Sequence, residues 1–230
     1  MRIAMIDRPA GNNGCAGCQD KDGFRCFVVA DGGGGQGGGR YASATAANGL
    51  LAEFMEKADI SYDFMYDYMD AAQDALINDP DFPKELSTTI AALVTDGEQA
   101  VWAHCGDSRI YCFKKHKLQT VTDDQTEAFE AFRAGTIRYD DIRNEDRDVK
   151  NYLSDGSRFK PDVQPVQRLP KNTTFLMCTE GLWRYVSESF MEKSLKKSGS
   201  PKEWLSAIRN ERRSHAPEGD EDYSAIAVFI

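Results

Sequence analysis

Histidine is scarce in this chain, basic residues are outnumbered, and long apolar runs are missing. The three histidines, His104, His116 and His215, are too few and too scattered for a histidine-rich zinc site. Lys and Arg number 28 against 37 Asp and Glu, a net charge of -9 over 230 residues. A phosphate backbone needs a basic footprint, so nucleic acid is excluded as the main partner. No apolar stretch approaches the ~18 residues that read as a membrane span, so no membrane insertion is expected. Residues 1–7 lack the apolar core of a secretory signal. Six cysteines are far below the density of a disulfide scaffold. Cys26, Cys105, Cys112 and Cys178 sit in apolar, β-rich runs, where free cysteine behaves as a small hydrophobe. Cys15 and Cys18 form a lone CxxC in what reads as a Gly/Asn loop, with no second ligand pair to complete a metal site. These absences describe a reduced, cytoplasmic protein. No linker or internal repeat divides the chain, so one domain over 1–230 is expected.

What is abundant is carboxylate, the ligand type of hard ions such as Mg²⁺, Mn²⁺ and Ca²⁺. The compositional oddity is a glycine run at 31–39, headed by Asp31. Before it, residues 24–30 are β-branched and aromatic and read as a buried strand. After it, Ala47, Leu50, Leu51, Phe54, Met55 and Ala58 recur with helical period. Strand, glycine loop and helix could suggest a dinucleotide site, and Gly32, Gly34 and Gly37 satisfy GxGxxG. Asp31 argues against it, because a carboxylate beside a pyrophosphate costs Coulomb energy. An acid before glycines suits a cation instead: the acid holds the ion and the glycines admit backbone carbonyls and phosphate oxygens.

A second helix carries Met65, Met69, Ala72 and Leu76 on one face, opposite Asp63, Asp67, Asp70 and Asp74. Strands then dominate at 88–95, 100–105 and 108–113, and again at 173–178 and 225–230, with charged, weakly periodic residues at 123–157. Helix 201–212 has Ser200 as its N-cap. Strands and helices in blocks imply antiparallel sheets covered by helices, an α+β fold. Three further acids share Asp31's placement at strand ends: Asp107, Glu180 and Asp222. Together the four look like a di-metal carboxylate cluster at one rim of a sheet.

These blocks resemble the metal-dependent serine/threonine phosphatases of the PPM (PP2C) family. Val28-Val-Ala-Asp-Gly is similar to the family's acid–glycine block. Ala103-His-Cys-Gly-Asp-Ser-Arg-Ile-Tyr is similar to its AHVGDSRIY block, and Met177-Cys-Thr-Glu-Gly-Leu to its LCSDGL block. Asp222-Tyr-Ser-Ala-Ile stands where the family has its closing DNxTV. The resemblance implies a four-layer α-β-β-α sandwich of two packed antiparallel sheets, with a flap at about 123–157. It implies two Mn²⁺ or Mg²⁺ ions, with Asp31 bridging and Gly32 lending a carbonyl. Glu180 and Asp222 complete that pair, and Asp107 with Glu180 would hold a third, weaker ion. The implied substrate is a phosphoprotein, dephosphorylated in opposition to a Ser/Thr kinase by a monomeric enzyme.

Four positions depart from the pattern. The family's N-terminal Arg, Glu and Asp align with Cys15, Gln19 and Asp20, which leaves Asp20 as a catalytic candidate and no phosphate-binding Arg. Arg8 or Arg40 could stand in. Gln36 replaces a histidine, and Glu180 replaces an aspartate. A catalytically weak regulatory or phosphoprotein-binding module is therefore the alternative. His104 reads as a strand residue, and Arg109 as a partner that holds the turn at Asp107.

Overall fold

The computed structural model describes residues 1–7, 13–33, 38–145, 148–155, 159–218, 220 and 222–230. Arg8 and Gln36 lie outside them. The chain opens with β1 (Arg2–Ile6), β2 (Gly14–Lys21) and β3 (Phe24–Gly33), followed by α1 (Gly39–Glu56) and α2 (Tyr62–Ile77). Next come β4 (Ser87–Thr95), β5 (Gln99–Cys105), β6 (Arg109–Lys114) and β7 (Lys117–Val121). The charged stretch after β7 holds α3 (Glu127–Arg133) and a short 3-10 turn at Tyr139–Arg143. Two brief pairings, β8 (Asp162–Val163) and β9 (Gln167–Arg168), lead to β10 (Thr173–Cys178). Then α4 (Glu180–Trp183), α5 (Glu188–Lys197), α6 (Pro201–His215) and β11 (Ala225–Phe229) follow.

All strand pairs are antiparallel. One sheet has the order β1-β11-β10-β6-β7, the other β2-β3-β4-β5-β8, with β9 also on β5. Because side chains alternate along a strand, β3 and β4 bury both faces. Val28, Ala30, Ile90 and Ala92 pack under α1 and α2, whereas Phe27, Val29, Ala91 and Leu93 meet the other sheet. Phe175, Met177, Ile226 and Val228 answer from that second sheet. Its outer face, including Leu176, Ala225 and Ala227, is covered by Trp204, Leu205 and Ile208 of α6 and by Met191 and Leu195 of α5. The layers are helix, sheet, sheet, helix, as the resemblance implies. Strands buried on both faces explain the near-continuous apolar runs of the sequence.

Helix starts follow local rules: Ser61, Thr126, Ser187 and Ser200 each accept the N–H three residues on. α1 begins earlier than its apolar period suggested, because its first turns bury alanines, Ala42 and Ala46, which carry little hydrophobic signal. Cys15 and Cys18 are not in a loop but in β2, where a three-residue spacing puts them on opposite faces. They are not a ligand pair.

One buried arginine ties the layers together. Arg109 makes a two-pronged ion pair with Asp124, Nε to Oδ1 at 2.7 Å and Nη2 to Oδ2 at 2.6 Å, with both side chains buried. It also donates to the Tyr111 hydroxyl and lies 3.5 Å over the ring of Trp183. Glu188, at the start of α5, stands 3.6 Å from Arg109 and accepts from Arg143 of the 3-10 turn. The segment after β7 is thereby docked on the sandwich. Removing one partner of such a pair strands a buried charge. Asp124→Asn should lower the unfolding free energy by about 3–5 kcal/mol. Urea unfolding at neutral pH checks this, and a midpoint equal to wild type would contradict it.

Candidate metal centre

The parity of β3 aims Asp31. It falls on the same face as Phe27 and Val29, so it projects between the sheets at the end of the sandwich. Thr89 of β4 lies opposite it, and the Thr89 hydroxyl meets Ser108 at 2.8 Å. Asp107 arrives at the same end from the turn between β5 and β6. Glu180 arrives from the start of α4, after β10, and Asp222 from the residues before β11. Asp31, Asp107, Glu180 and Asp222 all line one cavity of about 360 Å3, with Gly32 among its walls. Ser87, Thr88, Thr89 and Tyr152 add hydroxyls, and Val149 an apolar side.

Two glycines make the convergence possible. A Cβ at Gly181 would stand 1.9 Å from the Asp222 carbonyl oxygen, and one at Gly32 would stand 1.8 Å from the Gly39 oxygen. Only a residue without a side chain lets α4 begin against Asp222, or lets the end of β3 touch the start of α1.

Asp20 is not brought to this cavity. Asp22 and Gly23, both at positive φ, form the β2–β3 turn, and the ladder places Asp20 opposite Arg25 beside that turn. Asp31 lies opposite Gly14 at the ladder's other end, six residues or about 20 Å along the strand. The Asp20 side chain is 61% exposed and paired with Arg25. The residue that flanks Asp31 instead is Asn13, which the sequence reading missed. Asn13 lines the cavity, its N–H donates to Asp222 Oδ1 at 3.1 Å, and its carbonyl accepts from Gly32 and Ser43. The Asp-Gly turn was the available signal, because it sets the register of the hairpin. Arg40 is not a free phosphate ligand either: it is paired with Asp7 and donates to the Gly14 carbonyl. Val149 and Tyr152 had no sequence signal beyond their place in the charged stretch. They reach the cavity because Leu153 pairs with Thr88 through two 2.9 Å backbone hydrogen bonds. His104 is a buried strand residue bonded to the Asp123 carbonyl, as expected.

The chemistry of the lining suits hard cations. Its ligating groups are oxygens, and no lysine or arginine lines the cavity among the described residues. Carboxylates gathered on one cavity favour a cation that joins them, and Arg184 of the same short helix stands 3.4 Å from Glu180. Burial pushes the Asp222 carboxyl above its ordinary value. Hydrogen bonds from Asn13 and Gly14 work the other way, and neighbouring Asp220 adds to the rise. Among the described residues, no three of His, Cys, Asp and Glu are grouped tightly enough to hold one ion. Mg²⁺-type ions do not require three protein carboxylates, because they keep several waters and take one or two each.

The protein phosphatase 2C family model matches residues 14–212. The chain belongs to the protein phosphatase 2C family. Asp222 lies beyond the matched residues. The serine/threonine phosphatase stp of Listeria monocytogenes serotype 4b is 28% identical over 221 residues, covering 91% of this chain and 86% of that protein. The Streptococcus agalactiae serine/threonine phosphatase structure shares the fold with a TM-score of 0.82 at 19% identity, covering 98% of this chain and 97% of that one. The catalytic domain of the phosphatase PstP, solved in complex with two manganese ions, superposes with a TM-score of 0.79 at 22% identity, covering 99% and 96%.

In this PP2C member, a carboxyl whose folded pKa is raised favours the fold when neutral. The stability it lends is full below the unfolded value, about 3.9 for Asp, and is lost as pH rises through the folded value. Asp222→Asn removes that loss. Stripped of metal, the variant should unfold at a higher temperature than wild type at pH 7, with the gap closing as pH falls through the carboxylate range. Scanning calorimetry in chelator measures it, and an unfolding temperature no higher than wild type at pH 7 would count against the assignment.

Proposed function

We propose that the cavity is the catalytic centre of this protein phosphatase and hydrolyses phosphoserine and phosphothreonine esters in proteins. The observation that carries the reading is the convergence of four carboxylates from four separate segments of the chain on one cavity. Asp31 with the Gly32 carbonyl, Glu180 and Asp222 would hold two Mn²⁺ or Mg²⁺ ions, and Asp107 with Glu180 a third, weaker one. Bound there, the ions would lower the pKa of a water and neutralise charge on the phosphoryl oxygens. The chain's own groups do the rest. Ser87 and Thr89 present hydroxyls to phosphoryl oxygens, Asn13 orients Asp222, and Val149 and Tyr152 form the wall that a phosphopeptide must pass. That wall gives the 123–157 flap its part in choosing substrates.

No helix among the described residues is long and apolar enough to cross a membrane. We place the enzyme in the cytoplasm as a single-chain unit, acting on phosphoproteins that a Ser/Thr kinase has modified. Family membership and the intact set of cavity acids do not favour a non-catalytic regulatory module.

Hydrolysis of p-nitrophenyl phosphate and of a phosphothreonine peptide, with and without Mn²⁺, tests the reading. Asp31→Asn and Asp222→Asn should each cut Mn²⁺-dependent turnover at least about 100-fold. Asp20→Ala, an exposed change, should stay within about twofold of wild type. Turnover that survives both Asn variants, or that is lost with Asp20, would refute the assignment.

A further inference from the structure

Arg212 closes the apolar stripe of α6, one turn beyond Ile208, and its side chain is only 1% exposed. Its guanidinium reaches α4 and the segment before β11 at once. Nε donates to the Gly181 carbonyl at 2.5 Å, Nη1 to the Asp220 carbonyl at 2.7 Å and Nη2 to Asp220 Oδ1 at 2.6 Å. The same Asp220 oxygen accepts the backbone N–H of Asp222 at 3.2 Å. The guanidinium lies 4.4 Å over the Tyr223 ring, which holds its plane. Gly181 directly follows Glu180, and it is packed on the Asp222 backbone so closely that a Cβ would not fit. One planar cation thus ties together the backbones that carry two of the four cavity acids.

We infer that Arg212 is a positioning residue for the metal centre, fixing Glu180 and Asp222 in one frame; the inference rests on the metal-centre reading above. Arg212 does not line the cavity, so it acts through these two acids and not on substrate. Only arginine can do this. Three acceptors on two segments match its rigid fork of donors, whereas a lysine ammonium is a point charge on a flexible stem. The family match ends at residue 212, so of the two segments that Arg212 clamps, the one with Gly181 lies within it and the one with Asp220 outside it. Groups that orient metal ligands set affinity as strongly as many ligands do. Without the clamp, Glu180 and Asp222 keep their chemistry but lose their common frame.

The test is Mn²⁺ binding to metal-stripped protein by titration calorimetry, with urea unfolding measured alongside. Arg212→Lys keeps the charge and loses the fork. It should weaken Mn²⁺ binding by about 10- to 100-fold while the protein remains folded. Leu205→Ala, on the same helix but outside the Arg212 hydrogen bonds, serves as the control for general destabilisation and should bind Mn²⁺ like wild type. An Arg212→Lys affinity equal to wild type overturns the inference. So does an equal loss in Leu205→Ala, because the effect would then be general loosening. Wild-type protein that binds no Mn²⁺ overturns the metal-centre reading, and this inference with it.

Discussion

The pairing of Arg109 with Asp124 is the interaction on which the cavity end of the molecule depends. A guanidinium buried between the layers must be matched, because its desolvation is otherwise uncompensated. The match draws in five elements. Asp124 begins the stretch after β7, Tyr111 belongs to β6, Trp183 to α4, Glu188 to α5 and Arg143 to the 3-10 turn. Trp183 passes the constraint onward, since its Nε1 donates to the Asp107 carbonyl at 2.8 Å. The turn that carries Asp107 and the short helix that carries Glu180 are therefore held against the same cation. Arg109, two residues on from Asp107, is engaged with Asp124 and does not line the cavity.

The acidity of the chain separates into two kinds. On α2, Asp63, Asp67, Asp70 and Asp74 are exposed, spread along the helix and hydrated. Even there burial and its neighbours lift the Asp70 carboxyl, a small sign of what crowding costs. In the cavity the acids face one enclosed space and are lined by hydroxyls and amides. Asn13 softens that crowding. It sits where another carboxylate would add repulsion, and it donates to Asp222 instead. Glu180 reaches one methylene further than an aspartate would, and Arg184 stands 3.4 Å from it.

Much of this was readable from residue order. Strand-end acids beside glycines located Asp31, Asp107, Glu180 and Asp222, because such positions must lie at the rim of a sheet. The β-branched runs gave both sheets, and Ser200 with Pro201 marked the start of α6. The errors have physical causes. Asp20 was placed by counting from a motif, whereas hairpin register is set by the Asp22-Gly23 turn, which sends it to the opposite end. Arg212 is one polar residue at the end of an apolar stripe, and periodicity alone cannot tell a snorkelling arginine from a buried clamp. Val149 and Tyr152 owe their position to two backbone bonds with Thr88, which no side-chain pattern encodes.

β11 has a consequence for how the enzyme comes into being. It lies between β1 and β10, so among the described residues the first strand of the fold pairs only with the last, Arg2 against Phe229. While the chain is being synthesised, β1 and β10 have open edges and Asp222 has no place to sit. The upstream sheet can form early, since β2 to β5 are close in sequence. The second sheet cannot, and neither can the cavity. Contacts of such sequence separation are slow to form, and unpaired edges invite other chains meanwhile. The cavity that takes in Asp222 is thus completed only when β11 has paired with both β1 and β10.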